Sequence, residues 1–286
     1  MKYVYLTIDI EEWYELDYLK KYELDQSVEV IPEIIEFLDL LDQLQIKATF
    51  FVLATALKRN TDIVKEIARR GHSIGCHGFD HDLLYNKNTK QFTREVAEAK
   101  KLIEQVIDSE IIGYRASCFS MERDKLDALF DVGYQYDSSY IKFEQHALYR
   151  NLDLTGFKKL DDLVYGKEGV FQYEIPTLKI GKVSLPISGG GYLRLFPYWV
   201  LYFLLKIYAR QQNNFLLYLH PFELTTVKLP YSKEVTWKER FRASVGRKGN
   251  MKKLKKVLKL LASMGAEFRT LDQDMKERVK QCGKAS

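Results

Sequence analysis

The chain has 286 residues, of which 46% are hydrophobic, 13% aromatic and 29% charged. That balance excludes an intrinsically disordered chain, and 16 Gly with 6 Pro exclude collagen-like and low-complexity classes. The net charge of +5 is too mild a bias to indicate nucleic acid, so no nucleic-acid partner is expected.

The length suits two domains or one α/β barrel. No Pro/Gly/Ser-rich linker divides the chain and no internal repeat is present. The expectation is therefore one domain over residues 1–286, with 225–286 as a C-terminal helical extension packed on the barrel. Cys76, Cys118 and Cys282 form no CxxC and give an odd count, which fits a reducing compartment. The N-terminal MKYVYLTIDIEEW has no secretory pattern, and the longest strongly apolar run, 196–205, is too short to cross a bilayer. A cytoplasmic protein, soluble or peripheral to a membrane, is expected.

In chain order, residues 3–7 read as a β-rich strand ending in acidic residues. Residues 28–45 carry apolar side chains at helical spacing, with Pro32 near the start. A buried strand at 48–53 follows, then a helix at 61–70 that stops at Gly71. A short strand at 73–76, a helix at 93–107, a strand at 111–114 and a helix at 123–132 continue the alternation. Later come strands at 171–175 and 215–219, an aromatic-rich helix at 197–210, a basic helix at 251–263 and a last strand at 268–271. Such alternation predicts a parallel α/β sheet or barrel, whose chemistry sits at the carboxyl ends of the strands.

The residues at those ends form a set. Asp9, Glu11 and Glu12 follow the first strand, His77 and His81 the third, Arg115 the fourth and His220 a late one. His77 and His81, four apart, would converge on one ion if they shared a helical turn, and Gly75 and Gly78 flank the first of them. No Glu follows His77, so HExxH zincin chemistry is excluded. The acidic residues supply one carboxylate for a metal and a second for general base work. Arg115, if buried beside Asp9, would keep that carboxylate ionised and oriented. His220 would protonate a leaving group. His72 and His146 carry no such pattern. Each feature has a plainer structural reading, as surface acids, packed histidines or an exposed ion pair; the concentration of three histidines at strand ends favours function.

These residues lie in TIDIEE (residues 7–12), GHSIGCHGFDH (71–81), GYRAS (113–117), GYQYDSS (133–139) and LYLHPFE (217–223). Together and in this order they resemble the polysaccharide deacetylase family of the NodB-homology type, carbohydrate esterase family four. GGGYLRLFPYW (189–199) further resembles the branch found in exopolysaccharide and surface-glycan clusters. The resemblance implies a distorted (β/α) barrel of about seven strands and a divalent cation of the Zn²⁺ type. By matching position it implies Asp9 as general base, Glu11, His77 and His81 as metal ligands, Arg115 as the group orienting Asp9, and His220 as general acid. Asp137 would belong to the shell supporting that acid, and Tyr192 and Arg194 to support or substrate binding. The first motif departs from the commonest family pattern of adjacent aspartates: Ile10 separates Asp9 from Glu11. In an extended chain residues 9 and 11 face the same way, and Glu12 competes as ligand.

The expected reaction is metal-dependent removal of an acetyl group, foremost N-acetyl, from an amino sugar of a surface glycan or its lipid- or nucleotide-linked precursor. The alternatives are an O-acetyl esterase or small-molecule amidase on the same barrel, or a non-catalytic glycan-binding barrel. Two stretches suggest contact with an anionic membrane or a lipid-linked sugar: the aromatic segment at 189–210 and the basic segment at 238–259, where Glu239 is the lone acid. Packing of both on the barrel is the structural alternative.

Overall fold

The computed structural model describes residues 1–142 and 152–282, the side chain of Cys282 excepted; His146 lies outside them. The chain opens on strand β1 (Tyr3–Ile10), whose period-two alternation organises the molecule. Val4, Leu6, Ile8 and Ile10 enter the core between sheet and outer helices. Tyr5, Thr7 and Asp9 face the barrel interior, where Tyr5 joins a second buried cluster with Phe51, Tyr136, Tyr173 and Leu216. A strand buried on both faces reads as a near-continuous apolar run, which is why 3–10 is so hydrophobic.

Four β–α units follow. Helix α1 (Ile35–Gln43) leads to β2 (Thr49–Val52), α2 (Leu57–Arg69) to β3 (Ser73–Cys76), α3 (Thr89–Ile107) to β4 (Gly113–Tyr114), and α4 (Arg123–Asp131) to β5 (Tyr136–Ile141). The helices bury one stripe each; Phe92, Val96, Ala99 and Ile103 recur at helical spacing along α3, whose Asn88 cap accepts from the Gln91 N–H at 2.9 Å. The helix expected over 28–45 begins only at Ile35, after a 3₁₀ turn at Pro32–Ile34. The reason is tertiary: the N–H groups of Val30 and Ile31 donate to the Glu12 carboxylate, at 2.8 and 3.0 Å, and this holds the preceding chain as a loop.

Beyond β5 the chain adds a meander of β6 (Lys158–Lys159), β7 (Val164–Lys167) and β8 (Val170–Ile175), then a hairpin of β9 (Leu178–Ile180) and β10 (Val183–Leu185). The helix expected over 197–210 is α6 (Tyr198–Gln211), and a further short helix, α5 (Gly190–Leu195), forms in the glycine-rich segment before it and ends ahead of Pro197. Strand β11 (Asn214–Leu219), the short helix α7 (Pro221–Leu224), α8 (Trp237–Ser244), α9 (Asn250–Ser263), β12 (Glu267–Arg269) and α10 (Leu271–Cys282) complete the chain.

The large sheet has ten strands, in the order β11-β1-β2-β3-β4-β5-β8-β7-β6, with β12 pairing the first half of β1. Seven of them, from β11 to β8, run parallel to one another as a curled half-barrel, the distorted barrel expected; β7 and β6 extend it antiparallel. Among the described residues β8 and β11 do not pair, and the gap beside β11 carries the bridge between Gly189 and Tyr218. The stretch after residue 225 is not wholly helical, since β12 joins the sheet and α10 inserts Leu271 and Met275 into the interior cluster.

Candidate active site

At the carboxyl end of the parallel strands lies a cavity of about 380 Å³. Asp9 and Glu11 enter it from the end of β1, His77 from the end of β3 and His220 from the end of β11, with His81 supplied by the loop after β3. His77 and His81 do not share a helical turn. Residues 77–83 form bends and loop, and Gly78 at φ +103° holds a backbone conformation that a right-handed helix excludes. The loop brings the two rings together, with centroids 5.6 Å apart. Gly75 packs its backbone against the Phe51 ring rather than beside the cavity.

Glu11, His77 and His81 each present one ligand atom within 4.8 Å of the others, all three residues being buried. Glu11 Oε2 lies 2.7 Å from His81 Nε2 and 3.3 Å from His77 Nε2, yet no hydrogen bond of sound geometry reaches it. His77 Nδ1 is 2.9 Å from the Arg115 carbonyl; a carbonyl only accepts, so Nδ1 carries a proton and Nε2 is the atom directed at Glu11. A buried carboxylate oxygen without a hydrogen-bond partner, beside two imidazole nitrogens, marks a place for a cation, and two histidines with one carboxylate are a donor set that suits a Zn²⁺-type ion with positions left open. Burial alone would raise the Glu11 carboxyl, but the charge of His81 and the approach of both imidazoles hold it well below the usual range. For His81, burial lowers and the Glu11 charge raises, with a net upward shift.

Arg115 is wholly buried. Its Nη1 donates to Asp9 Oδ1 and to Thr7 Oγ1, both at 2.8 Å, Nη2 donates to Ser138 Oγ at 2.8 Å, and Nε to the Ser138 carbonyl at 3.1 Å. The guanidinium also lies 4.4 Å from the Phe51 ring centroid. One oxygen of Asp9 is thereby fixed while the other, Oδ2, faces His220 Nε2 at 3.9 Å. His220 Nε2 is also 3.7 Å from Glu11 Oε1. On its other side, His220 Nδ1 meets Glu223 Oε2 at 3.1 Å. Burial would lower the imidazole pKa; the Glu223 hydrogen bond and charge, with Glu11 and Asp9, raise it to about 9.

Residues 1–136 match the family model described as polysaccharide deacetylase, and residues 151–275 match a domain of unknown function, DUF3473. The first half of the chain is similar to the polysaccharide deacetylases. A peptidoglycan-N-acetylglucosamine deacetylase from Bacillus cereus is 30% identical over 77 residues, which cover 27% of this chain and 36% of that protein. The match thus spans about a third of that relative's length. Among solved structures, a protein from Mycobacterium smegmatis assigned to the polysaccharide deacetylases superposes with a TM-score of 0.61 at 16% identity, covering 97% of this chain and 90% of that one. The Puue allantoinase does so with a TM-score of 0.64 at 15% identity, covering 96% and 88%. At these identities the structures share a fold.

Within residues 1–136 Glu12 stands apart from the cavity. Both its oxygens accept from the Val30 and Ile31 N–H groups, so it anchors a loop and does not compete with Glu11; burial raises its pKa to about 7 against those two bonds. Asp137 supports a different group from the one expected. It accepts from the Ser139 hydroxyl at 2.6 Å and the Ser139 N–H at 2.9 Å, and Ser139 Oγ accepts from the Ala116 N–H, which braces the loop that carries Arg115. Burial pushes the Asp137 carboxyl up to about 6.

The carboxylate beside His220 is Glu223, which was not singled out from the sequence. The signal was there in His220-Pro-Phe-Glu223. An N-cap, Pro at the first helical position and Glu at the third form a capping box, here with both His220 and Glu223 side chains reaching back. Arg194, expected as a supporting or substrate-binding residue, lines the cavity but is engaged. It pairs with Glu223 at 3.0 Å and donates to the carbonyls of Arg242 and Val245. Tyr192 lines the cavity with its ring tilted 6.0 Å from Phe196. Thr7 and Ser138, which hold Arg115, lie within TIDIEE and GYQYDSS but carry no chemical pattern of their own, and Phe51 reads as an ordinary strand residue.

Proposed function

We propose that the chain, acting as one catalytic unit, is a metal-dependent hydrolase that removes an acetyl group, foremost from nitrogen, on an amino sugar of a surface glycan or its lipid- or nucleotide-linked precursor. The observation that carries this reading is the juxtaposition of Asp9 Oδ2 and His220 Nε2 beside the Glu11–His77–His81 cluster. Glu11, His77 and His81 would hold a divalent cation, foremost Zn²⁺, which when bound supplies Lewis acidity toward the acetyl carbonyl and acidifies water.

Asp9, held in place by Arg115, accepts a proton from the attacking water as its oxygen bonds to the carbonyl carbon. His220, protonated and oriented by Glu223, gives its proton to the nitrogen as the C–N bond breaks, leaving acetate and a free amine. The Phe222 and Tyr218 rings pack against His220, at 5.8 and 5.9 Å, and restrict its movement. An O-acetyl ester would meet the same base and acid, so leaving-group preference distinguishes the esterase alternative.

The test is acetate release from a panel of N- and O-acetylated oligosaccharides by protein titrated with Zn²⁺. Uptake of about one equivalent is expected, lost in His77→Ala. Asp9→Asn should keep uptake while losing on the order of 10²-fold or more in rate. Full activity in Asp9→Asn refutes the base assignment, and binding of glycans without acetate release by metal-loaded protein moves the chain to the glycan-binding alternative.

A further inference from the structure

Five large apolar side chains stand out of the surface on α5, α6 and α8: Leu195 (51% exposed), Trp199 (65%), Phe203 (58%), Trp237 (72%) and Phe241 (55%). Trp199, Phe203 and Lys206 recur at three- and four-residue spacing and share one face of α6, with Tyr202 beside them; Trp237 and Phe241 share one face of α8. The elements are tied side by side. Lys253 of α9 donates to the carbonyls of Arg194 and Phe196, both at 2.9 Å, and Lys256 lies 5.5 Å from the Tyr198 ring. Arg194 donates to carbonyls at the end of α8. Leu195 and Phe241 themselves line the cavity, so the apolar face runs into its rim.

The charge around this face is predominantly positive, the acids of α8 and its approach being Glu239, paired with Lys21 at 2.8 Å, and the exposed Glu234. No Asp or Glu occurs in residues 175–222 or 240–266, while Lys206, Lys238, Arg242, Lys252 and Lys256 are exposed there. Two of these cations sit by aromatic rings of the face: Lys206 is 5.6 Å from Tyr202, and Lys238 is 6.0 Å from Trp237. Exposed Trp and Phe ringed by Lys and Arg complement the boundary between acyl chains and anionic headgroups; a face made only for water would not concentrate them.

We propose that the α5–α6–α8 face docks the protein on an anionic lipid bilayer and sets the pocket mouth at the membrane surface. Among the described residues no helix is long and apolar enough to cross a membrane, so the contact lies in the interfacial plane. The choice of a lipid-linked glycan as substrate rests on the hydrolase reading above; the docking is measured without any substrate.

The full chain is sedimented at about 0.15 M salt with vesicles of phosphatidylcholine mixed with phosphatidylglycerol, and with phosphatidylcholine alone. Sedimentation with the mixed vesicles only is expected, with a blue shift of tryptophan emission, because Trp13 is buried and Trp199 and Trp237 are free to report. Trp199→Glu/Phe203→Glu should abolish binding, and Lys206→Gln/Lys256→Gln should weaken it about 10-fold or more. Lys58→Gln/Lys65→Gln, on exposed positions of α2, should leave it unchanged. A wild-type chain that stays in the supernatant, or a double Glu variant that sediments like wild type, overturns the proposal. Self-association lost in the double Glu variant, without vesicle binding, assigns the face to a second copy and also overturns it. Failure to bind vesicles while soluble acetylated oligosaccharide is hydrolysed removes the docking alone; vesicle binding without acetate release from any substrate removes the hydrolase reading alone.

Discussion

Single side chains in this protein do work that their type alone does not announce. His72 is one of three histidines outside the Glu11–His77–His81 cluster, and it was assigned no role from the sequence. It is buried at the start of β3, where its Nδ1 accepts from the Ala48 N–H at 3.2 Å while Nε2 has no partner. A proton on Nδ1 would break that bond and bury a charge, so burial lowers the His72 pKa to about 4, with the cationic neighbour Lys47 acting in the same direction. The folded pKa is below the unfolded value of about 6.5, so the unfolded chain binds the extra proton first and folding is favoured at higher pH. Stability from this group is present above pH ~6.5 and is lost as pH falls toward ~4, by about 3 kcal/mol in all. Urea unfolding across that window should show the loss in wild type and a flatter profile in His72→Gln. The same profile in both would mean that another group titrates there.

At the scale of elements, the barrel strands carry structure and chemistry on opposite faces. Along the inner face of β1, Tyr5 meets α10, Thr7 meets Arg115 and Asp9 meets the cavity, while the outer face is apolar throughout. A slip of one residue in register would exchange the two sets. The short helix α5 makes a second junction. Gly190 lies so close to Glu223 that an added Cβ would sit 1.8 Å from Oε2, whereas one on Gly191 would meet nothing within 4 Å. Gly190→Ala should therefore push Glu223 off His220 and Arg194 and lower kcat about 100-fold, since a misplacement near 1 Å has effects of that order. Gly191→Ala should leave thermal stability unaltered. Unchanged kcat in Gly190→Ala would show that Glu223 does not position the imidazole.

At the scale of the whole molecule, the interior of the half-barrel has a closed end and an open one. Helix α10 closes the amino end: Asp274 accepts from the Tyr5 hydroxyl at 2.8 Å and the Tyr173 hydroxyl at 2.7 Å, Asp272 accepts from Tyr136 at 2.6 Å, and Met275 is buried among them. The carboxyl end is left for the cavity. Truncation after residue 270 would leave three buried hydroxyls without acceptors and expose the interior cluster, at a cost of about 1–3 kcal/mol for each hydroxyl before any loss of packing. The truncated chain is expected to lose cooperative unfolding by calorimetry. A transition within a few degrees of the full chain would mean that α10 is an appendage rather than the plug of the barrel.

The sequence by itself determined the alternation of strands and helices, the residues at the strand ends, and the family of the first half. Those signals are local: the β-rich strand at 3–7, the helix at 93–107, and short motifs whose spacing is set along the chain. Only the tertiary structure decided which of two adjacent carboxylates faces the cluster, because Glu11 and Glu12 are chemically alike and the choice was made by the distant N–H groups of Val30 and Ile31. It decided that His77 and His81 meet through a loop with left-handed Gly78, that Asp137 braces the Arg115 loop, and that Glu223 is the partner of His220. It also placed α10, a helix not among the elements read from the sequence, across the amino end of the half-barrel. In each case the deciding contact joins residues far apart in the chain or turns on one backbone angle, and neither leaves a period in the sequence.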